Sequence, residues 1–559
     1  MNRTFFIALT VSLGGFLFGF DMGIISGVMD TAGPFFGLDD TQIGWVTSCP
    51  TFVAMFAMLV AGRASDAIGR KPILIMVAFL YAVSALLSAY AMSYDILWIS
   101  RMIGGVAFGA ALILAPLYIA EIAGAENRGR LVATQQLNIM LGFFVAFLSN
   151  YLFNKYSPTT EFLTKENLWR WMLGVEAIPA ILYFIFLFFV PKSPRWLYAQ
   201  NRKDEGKKVL ELLHGKELAS IEGDSIEKSL EDEKNIKKAS FLELFKPALG
   251  FIVILGLIIG ILQQACGINA IYFYATSIFK LTGIGTDNAF AQGAILGLTS
   301  VVCAVIAMVL MDRVGRRPLM LVGVAGITAS LLLCSYEFGQ AEYQLSPEKI
   351  SEVCLTDALE KTQSELEQKE IAAGMLSKFD QKALQNTINS IAKLSEIREK
   401  LSGIEDAVSY KNDIVFKREL RKLLVKNAGK EDDFSLYNHS KNAFLETAIQ
   451  MNAFNVLIGV LGFIAFFNLS LGPVMWVMLS EMYPNKIRGL AIGTIGLVNS
   501  FTAWLVTQIF PWELSNFGGS TTFLIFGLIT LGGFFILFKL LPETKGKSLE
   551  QLESELIKN

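Results

Sequence analysis

The sequence predicts an all-α membrane protein with twelve transmembrane helices in two pseudo-symmetric six-helix bundles and a helical extracytoplasmic insert. Three observations carry this. First, motifs recur across the chain. Glu121-Ile-Ala-Gly-Ala-Glu-Asn-Arg128-Gly129 returns as Glu481-Met-Tyr-Pro-Asn-Lys-Ile-Arg488-Gly489, and Asp66-Ala-Ile-Gly69-Arg70-Lys71 as Asp312-Arg-Val-Gly315-Arg316-Arg317. Second, 53% of the 559 residues are hydrophobic, the mean hydropathy is +0.48, and the apolar residues fall in runs long enough to cross a bilayer. Third, lysine and arginine gather in every second short loop. A motif pair repeated in two halves of an apolar chain is the mark of a duplicated bundle, and duplicated bundles in membranes hold solutes between their halves.

Taken in order, the spans fall at about 5–28, 43–62, 72–91, 95–118, 130–152 and 170–190, then 250–278, 289–311, 318–338, 448–478, 489–511 and 520–541. The first begins almost at Met1 and is too long and too rich in polar residues for a cleavable signal. Arg63, Arg70 and Lys71 follow span two, and Arg128 and Arg130 follow span four. Arg313, Arg316 and Arg317 follow span eight, and Lys486 and Arg488 follow span ten. The loops after spans one, three and eleven carry neither lysine nor arginine, so both termini are expected in the cytoplasm of a multi-pass cell-membrane protein.

Five segments follow: an N-terminal bundle (1–190), a charged cytoplasmic helical linker (191–247), the first part of the C-terminal bundle (248–338), the insert (339–447), and the rest of that bundle with a short cytoplasmic tail (448–559). The insert is far longer than a usual connection. Apolar residues at helical spacing, as in Ala383-Leu-Gln-Asn-Thr-Ile-Asn-Ser-Ile, predict a small helical domain. It is either a tolerated decoration or a lid or docking site for an unknown extracytoplasmic partner. Asn438-His-Ser440 fits a glycosylation sequon, relevant only in a eukaryotic host.

Net charge is -2, which gives no reason to expect nucleic-acid binding. The five cysteines have no metal-ligand spacing and read as small packing residues. No nucleophile–base set stands out, so no enzyme, metal or cofactor is expected.

Five motifs, one of them the extended Asp66–Lys71 segment, occur in a fixed order: Arg63-Ala-Ser-Asp66-Ala-Ile-Gly-Arg70-Lys71, Pro191-Lys-Ser-Pro194-Arg195, Gln263-Gln264-Ala-Cys-Gly267-Ile-Asn269, Gly472-Pro473-Val-Met-Trp476 and Pro542-Glu-Thr-Lys-Gly546. Together they resemble the sugar porters of the major facilitator superfamily, and among these the bacterial proton-coupled xylose symporters. The resemblance covers every span and the linker but not the insert. It implies the major facilitator fold, monosaccharide and proton as the transported partners, alternating access and a monomer.

Asp21 lies inside span one. A carboxylate in an apolar span is functional by default, and Arg101 in span four is its natural partner. The arginine favours ionised Asp21 while desolvation favours the neutral acid, so exposure to alternate faces can load and release a proton. Glu176 in span six is a third ionisable group at that depth. The resemblance implies that Asp21 is the protonated group of symporters, with Arg101 and Glu176 at matching positions; facilitative glucose transporters carry asparagine at the first. The alternative is a static pair clamping two helices.

A sugar presents hydroxyls and apolar C–H faces, which amides and an aromatic ring suit. Gln136, Gln263, Gln264, Asn269, Trp476 and Asn499 supply these and match the family's sugar ligands; the alternative is that buried amides only join helices. Ser300, Ser500 and Phe273 stand where the family usually has asparagine, tryptophan and tyrosine, which widens the expected substrates to a larger sugar, another epimer or a polyol such as inositol. At the cytoplasmic ends, Asp66, Arg70, Glu121, Arg128, Asp312, Arg316, Glu481 and Arg488 look like a salt-bridged gate, or else serve only to set topology. Lys192 replaces the family's usual glutamate, so an altered set of bridges is expected there. Gly472-Pro473 is expected to weaken span ten. A facilitative uniporter and a non-transporting sugar sensor are the alternative functions.

Overall fold

The structure is a computed structural model. It describes residues 3–124, 127–157, 163–164, 167–235, 241–354, 392–425, 435–546 and 551–552. Within these, the side chains at 128, 232–235, 242, 245, 312, 435, 438, 439, 442 and 485 lie outside the described set. The gate residues Arg128 and Asp312, and the sequon Asn438, are among them.

The N-terminal bundle comprises α1 (Arg3–Phe36), α2 (Asp40–Ile68), α3 (Arg70–Ala89), α4 (Tyr94–Ile122), α5 (Arg128–Tyr156) and a sixth span made of α6 (Leu168–Gly174) and α7 (Ala177–Leu187). A capping box starts α2: Asp39 accepts from the Gln42 N–H while Gln42 accepts from the Asp39 N–H, which satisfies two otherwise free donors. The turn from α2 to α3 is made at Gly69, whose φ of 98° a side chain would resist. Its counterpart in the second half is Gly315, at φ 101°.

The linker carries α8 (Pro194–Ala199), α9 (Lys203–His214) and α10 (Lys216–Asn235). The second bundle opens with α11 (Gly250–Ala265), α12 (Ile268–Phe273) and α13 (Ala275–Lys280), broken at Gly267 in the left-handed region. It continues through α14 (Thr286–Val314) and α15 (Arg316–Gly339). The insert contributes α16 (Pro347–Cys354), a helix at 392–401, α17 (Asp413–Leu424) and α18 (Ser435–Ala448).

The described residues of the insert are largely helical, the predicted stretch from Ala383 on lies outside them, and they also hold a small antiparallel sheet of β1 (Glu342–Leu345), β2 (Val408–Tyr410) and β3 (Ile449–Gln450) in the order β2-β1-β3. Tyr343 pairs with Tyr410 on one side and Ile449 on the other. Three strands of two to four residues leave too little period-two pattern to be read from sequence. The insert has its own apolar core, including Tyr343, Phe416, Leu420, Phe444 and Leu445.

Span ten is α19 (Ala453–Leu469) and α20 (Leu471–Met482), interrupted at Ser470 just before Gly472-Pro473. Spans eleven and twelve run as α21 (Asn485–Leu540), broken at Gly518. Among the described residues eleven helical segments are long and apolar enough to span a membrane, and the last is a double span, which makes twelve crossings in a multi-pass protein.

Within the first half α1 packs on α5, and α4 on α2 and α3. Between halves α5 packs on α14 and α2 on α21. These two contacts exchange under the internal repeat: spans two and five of one half meet spans eleven and eight of the other. All five cysteines are free and buried.

Candidate functional site

Asp21 lies mid-α1 and Arg101 in α4. The guanidinium Nη1 donates to the Asp21 carboxylate in a buried ion pair. Arg101 is 1% exposed and Asp21 3%. Glu176 falls between α6 and α7, where the helix loosens, and is also 3% exposed. Its carboxyl is close enough to Asp21 and Arg101 to interact with both electrostatically. The structure thus gathers all three ionisable groups that the sequence singled out. Arg101 Nε and Nη2 and Asp21 Oδ2 are buried without a further partner, so the cluster is under-satisfied.

The amides of the second half form one network. Gln263 Nε2 donates to the carbonyls of Leu471 (3.2 Å) and Gly472 (3.1 Å), in the first turn of α20 just past the break in span ten. Asn499 Nδ2 donates to Gln263 Oε1 and to the Gly260 carbonyl, each at 2.8 Å. Gln264 Nε2 donates to Asn499 Oδ1 at 3.2 Å, while Gln264 Oε1 is buried with no donor. Three predicted residues therefore lock one another. Asn269 follows on α12, half-buried, beyond the Gly267 break.

Trp476 is 42% exposed on α20, whose other residues are buried or half-buried, and presents an open aromatic face beside the network's helices. Gln136 is exposed on α5 and makes no described hydrogen bond to the other amides. It shares a helix face with Phe143, seven residues on, which stacks on Tyr272 of the other half at 4.4 Å. Gln136 therefore stands on the face of α5 turned toward the second bundle.

One residue was missed by sequence reasoning. Asn468, 5% exposed on α19, donates to the Tyr272 hydroxyl at 2.9 Å, and that hydroxyl is 2.8 Å from Ser300 Oγ. The signal was present as an amide inside an apolar run. Ser300, where an asparagine was expected, is thus satisfied by a tyrosine one residue before the expected position.

Among the described gate side chains, Asp66, Arg70 and Glu121 pair within the first half and Arg316 with Glu481 within the second. Arg70 bonds Glu121 (2.9 Å) and Asp66 (2.6 Å), and Ser193 Oγ donates to Glu121 at 2.5 Å. In the repeat Arg316 bonds Glu481 at 2.9 Å and Thr544 Oγ1 donates to Glu481 at 2.5 Å. Arg488 donates from Nε to the Tyr483 carbonyl. At this motif end no described ion pair or side-chain hydrogen bond joins the two bundles.

Cross-bundle contacts cluster toward the other end, where the insert attaches. Asp30 pairs with Lys280 (3.2 Å), Ser26 with Thr276 (2.9 Å), Asn154 with Asp287 (2.6 Å) and Ser48 with Gln508 (2.8 Å). Among the described residues no group of three or more His, Cys, Asp or Glu is placed to hold a metal.

Comparison with known proteins agrees with this architecture. The model of the sugar (and other) transporter family matches residues 7–356 and 436–556, leaving out the middle of the insert. The arabinose-proton symporter of Bacillus subtilis is 28% identical, with 100% of this chain and 96% of that protein covered. The major myo-inositol transporter IolT of the same organism is 29% identical, with 98% and 93% covered. The inward-open structure of the xylose transporter XylE from E. coli superposes with a TM-score of 0.70 at 23% identity, covering 99% of this chain and 100% of that one. With a family match over most of its length and the twelve-helix major facilitator fold, the chain belongs to the sugar porters of the major facilitator superfamily.

Proposed function

We propose that the protein carries a monosaccharide of the xylose, glucose or galactose kind across the cell membrane together with a proton, by alternating access. The observation that carries this reading is the buried cluster of Asp21, Arg101 and Glu176. Two carboxyls face one guanidinium out of water. Neutrality there needs one proton on the acids, and an uncompensated buried charge is strongly unfavourable. A cycle that opens the cluster first to one face and then to the other would carry that proton across. The amide network of Gln263, Gln264 and Asn499, with Asn269, Trp476 and Gln136 nearby, would hold the sugar between the bundles; Gln264 Oε1 lacks a donor that a sugar hydroxyl can supply.

With both termini in the cytoplasm, the motif end faces inward and the insert outward. Among the described residues the bundles are joined at the insert end and no ion pair links them at the motif end, which is the arrangement of a site open to the cytoplasm. In the opposite state Asp66, Arg70, Glu121, Arg128, Asp312, Arg316, Glu481 and Arg488 would bridge the bundles. Such pairs are individually weak at a wet boundary, so a network can form and break each cycle. A polyol such as inositol is the second reading. It is favoured by the small, already satisfied Ser300, and the relatives include a myo-inositol transporter.

The test is Asp21→Asn in proteoliposomes with an imposed pH gradient. Uphill uptake is expected to vanish while sugar exchange at equal concentrations continues. Full accumulation by the variant would sink proton coupling through this cluster. Running several labelled sugars and inositol in parallel identifies the substrate.

A further inference from the structure

Among the described ion pairs, that of Asp30 with Lys280 is the one that joins the two bundles directly. Asp30 lies near the end of α1, and Lys280 is the last residue of α13. Their side chains, 3.2 Å apart, are 10% and 12% exposed. Ser277, one turn before Lys280, donates to Asp30 Oδ1 at 3.2 Å. When the insert end opens, α1 and α13 separate and Lys280 loses this partner. An ammonium left without a counter-charge in a poorly wetted site is strongly unfavourable, so opening is easier if another acid takes over.

Such an acid stands beside it. Glu446 lies in the last turn of α18, the final helix of the insert. The insert is rooted in the second bundle at both ends: β1 follows α15, β3 leads into α19, and the two strands pair. The end of α18 packs on the loop that follows Lys280. A Cβ on Gly283 would lie 2.7 Å from the Ile449 side chain and 3.3 Å from the Glu446 carbonyl oxygen. Lys417 of α17 holds the same bundle through the Ser515 carbonyl at 3.1 Å. The described ion pair from the insert to the first bundle, Lys441 with Asp40 at 4.0 Å, is part-exposed and weak. Glu446 therefore travels with Lys280, while Asp30 travels with the first bundle.

The charged groups that act on Lys280 are Asp30 from α1 and Glu446 from the insert; those that act on Glu446 are Lys280 and Asp30. Two carboxyls thus compete for one ammonium. In the closed arrangement Asp30 holds the ion pair. Burial, opposed by Lys280 and aided by Asp30, pushes Glu446 up to about 7, so it keeps its proton in mildly acid solution. Departure of Asp30 removes the repulsion and admits water, and both changes favour the ionised form of Glu446.

We propose that Glu446 is the reserve counter-ion of Lys280: when the insert end opens and Asp30 leaves with α1, Glu446 gives its proton to the solution at that end and pairs with Lys280, and closure reverses the exchange. The insert then takes part in the transport cycle instead of merely decorating it. The proposal rests on alternating access, and it is independent of which solute is carried and of the Asp21 cluster.

The experiment reads how often the insert end opens. Ser26 lies between the bundles there, 1% exposed, with its Oγ 2.9 Å from that of Thr276. In the full-length protein carrying Ser26→Cys, the rate of labelling by a polar methanethiosulfonate reagent follows that opening. The same chain without this substitution, whose five cysteines are buried, is the blank. Rates are compared among the parent, Asp30→Asn, Glu446→Gln and the double variant at about pH 6, where Glu446 is protonated before opening. With Asp30 present, E446Q is expected to slow labelling about tenfold, because opening then leaves Lys280 alone. With D30N, E446Q is expected to speed labelling, because Lys280 is then unpaired in the dry, closed arrangement and opening relieves it. This reversal of sign is the signature; a structural role for Glu446 would move both rates the same way. Rates that E446Q leaves unchanged, or shifts in one direction in both backgrounds, would overturn the exchange and leave alternating access standing. No labelling in any of the four would overturn opening at this end, and the proposal with it. Should the double variant fold poorly, Glu446→Asp decides: slowing by E446Q but not by E446D supports the exchange, and equal slowing by both overturns it.

Discussion

Asn499 shows how much one amide holds. Its Nδ2 is shared between Gln263 Oε1 and the Gly260 carbonyl, and its Oδ1 accepts from Gln264. Replacing it with alanine leaves the Gln263 oxygen only the longer bond from Gln264 Nε2 (3.3 Å) and takes from Gln264 its second acceptor, a loss of about 1–3 kcal/mol. We expect Asn499→Ala to weaken sugar binding at least tenfold while Asp21-dependent proton coupling persists; competitive uptake at graded sugar concentrations measures it. An unchanged half-saturation would show that the network only joins helices. At this scale the sequence was most legible where chemistry is costly to bury. Asp21, Arg101 and Glu176 stand out because a charge in an apolar run needs a reason. Asn468 did not stand out, because a lone amide before a Ser-Leu-Gly-Pro break also reads as local helix adjustment, and its tie to Tyr272 crosses 196 positions.

At the scale of elements, α1 and α5 approach so closely that there is no room for a side chain between them. A Cβ on Gly19 would lie 2.0 Å from the Ile139 carbonyl oxygen, and one on Gly142 would lie 2.1 Å from that of Phe16. These are backbone atoms that cannot swing aside, so the helices themselves must part. Gly142→Ala is expected to destabilise by about 1–3 kcal/mol. Gly493→Ala, on α21 where nothing lies within 4 Å, is expected to be neutral or to stabilise by up to about 1 kcal/mol through helix propensity. Thermal unfolding of both variants in detergent checks the pair, and equal melting temperatures would contradict the close-packing account. The existence of the spans was legible from apolar runs, and breaks at Gly267 and before Gly472-Pro473 fall where the residues allow them. The small sheet of the insert was not legible, because its strands are short and β1 pairs with segments more than sixty positions away.

At the scale of the whole molecule, the repeat made the two bundles legible, but nothing in the linear text shows what the insert touches. It leans on both halves. Lys417 donates to the Ser515 carbonyl (3.1 Å) at the turn between the last two spans, and Lys441 approaches Asp40 at the start of α2 (4.0 Å). Glu446 of α18 lies beside Gly283 and the Asp30–Lys280 pair that joins the bundles. Burial pushes Glu446 up to about 7; Lys280 opposes this and Asp30 adds to it. These are the charged groups that face it. If the insert lifts and wets Glu446, the carboxyl returns to its ordinary value near 4.5 and gives up its proton. The sign follows: a raised pKa in the docked state means that docking binds a proton. Its contribution is complete below about pH 4.5 and is lost as pH rises through about 7. We therefore expect hydrogen-exchange protection of 443–448, corrected for intrinsic rates, to fall between about pH 5 and about pH 8, and to become flat in Glu446→Gln. The variant also keeps a neutral, hydrogen-bonding side chain beside Lys280, so at high pH it should dock better than wild type. Protection in wild type that ignores pH across this range would mean that Glu446 remains wet and the insert does not bear on the closed end through it.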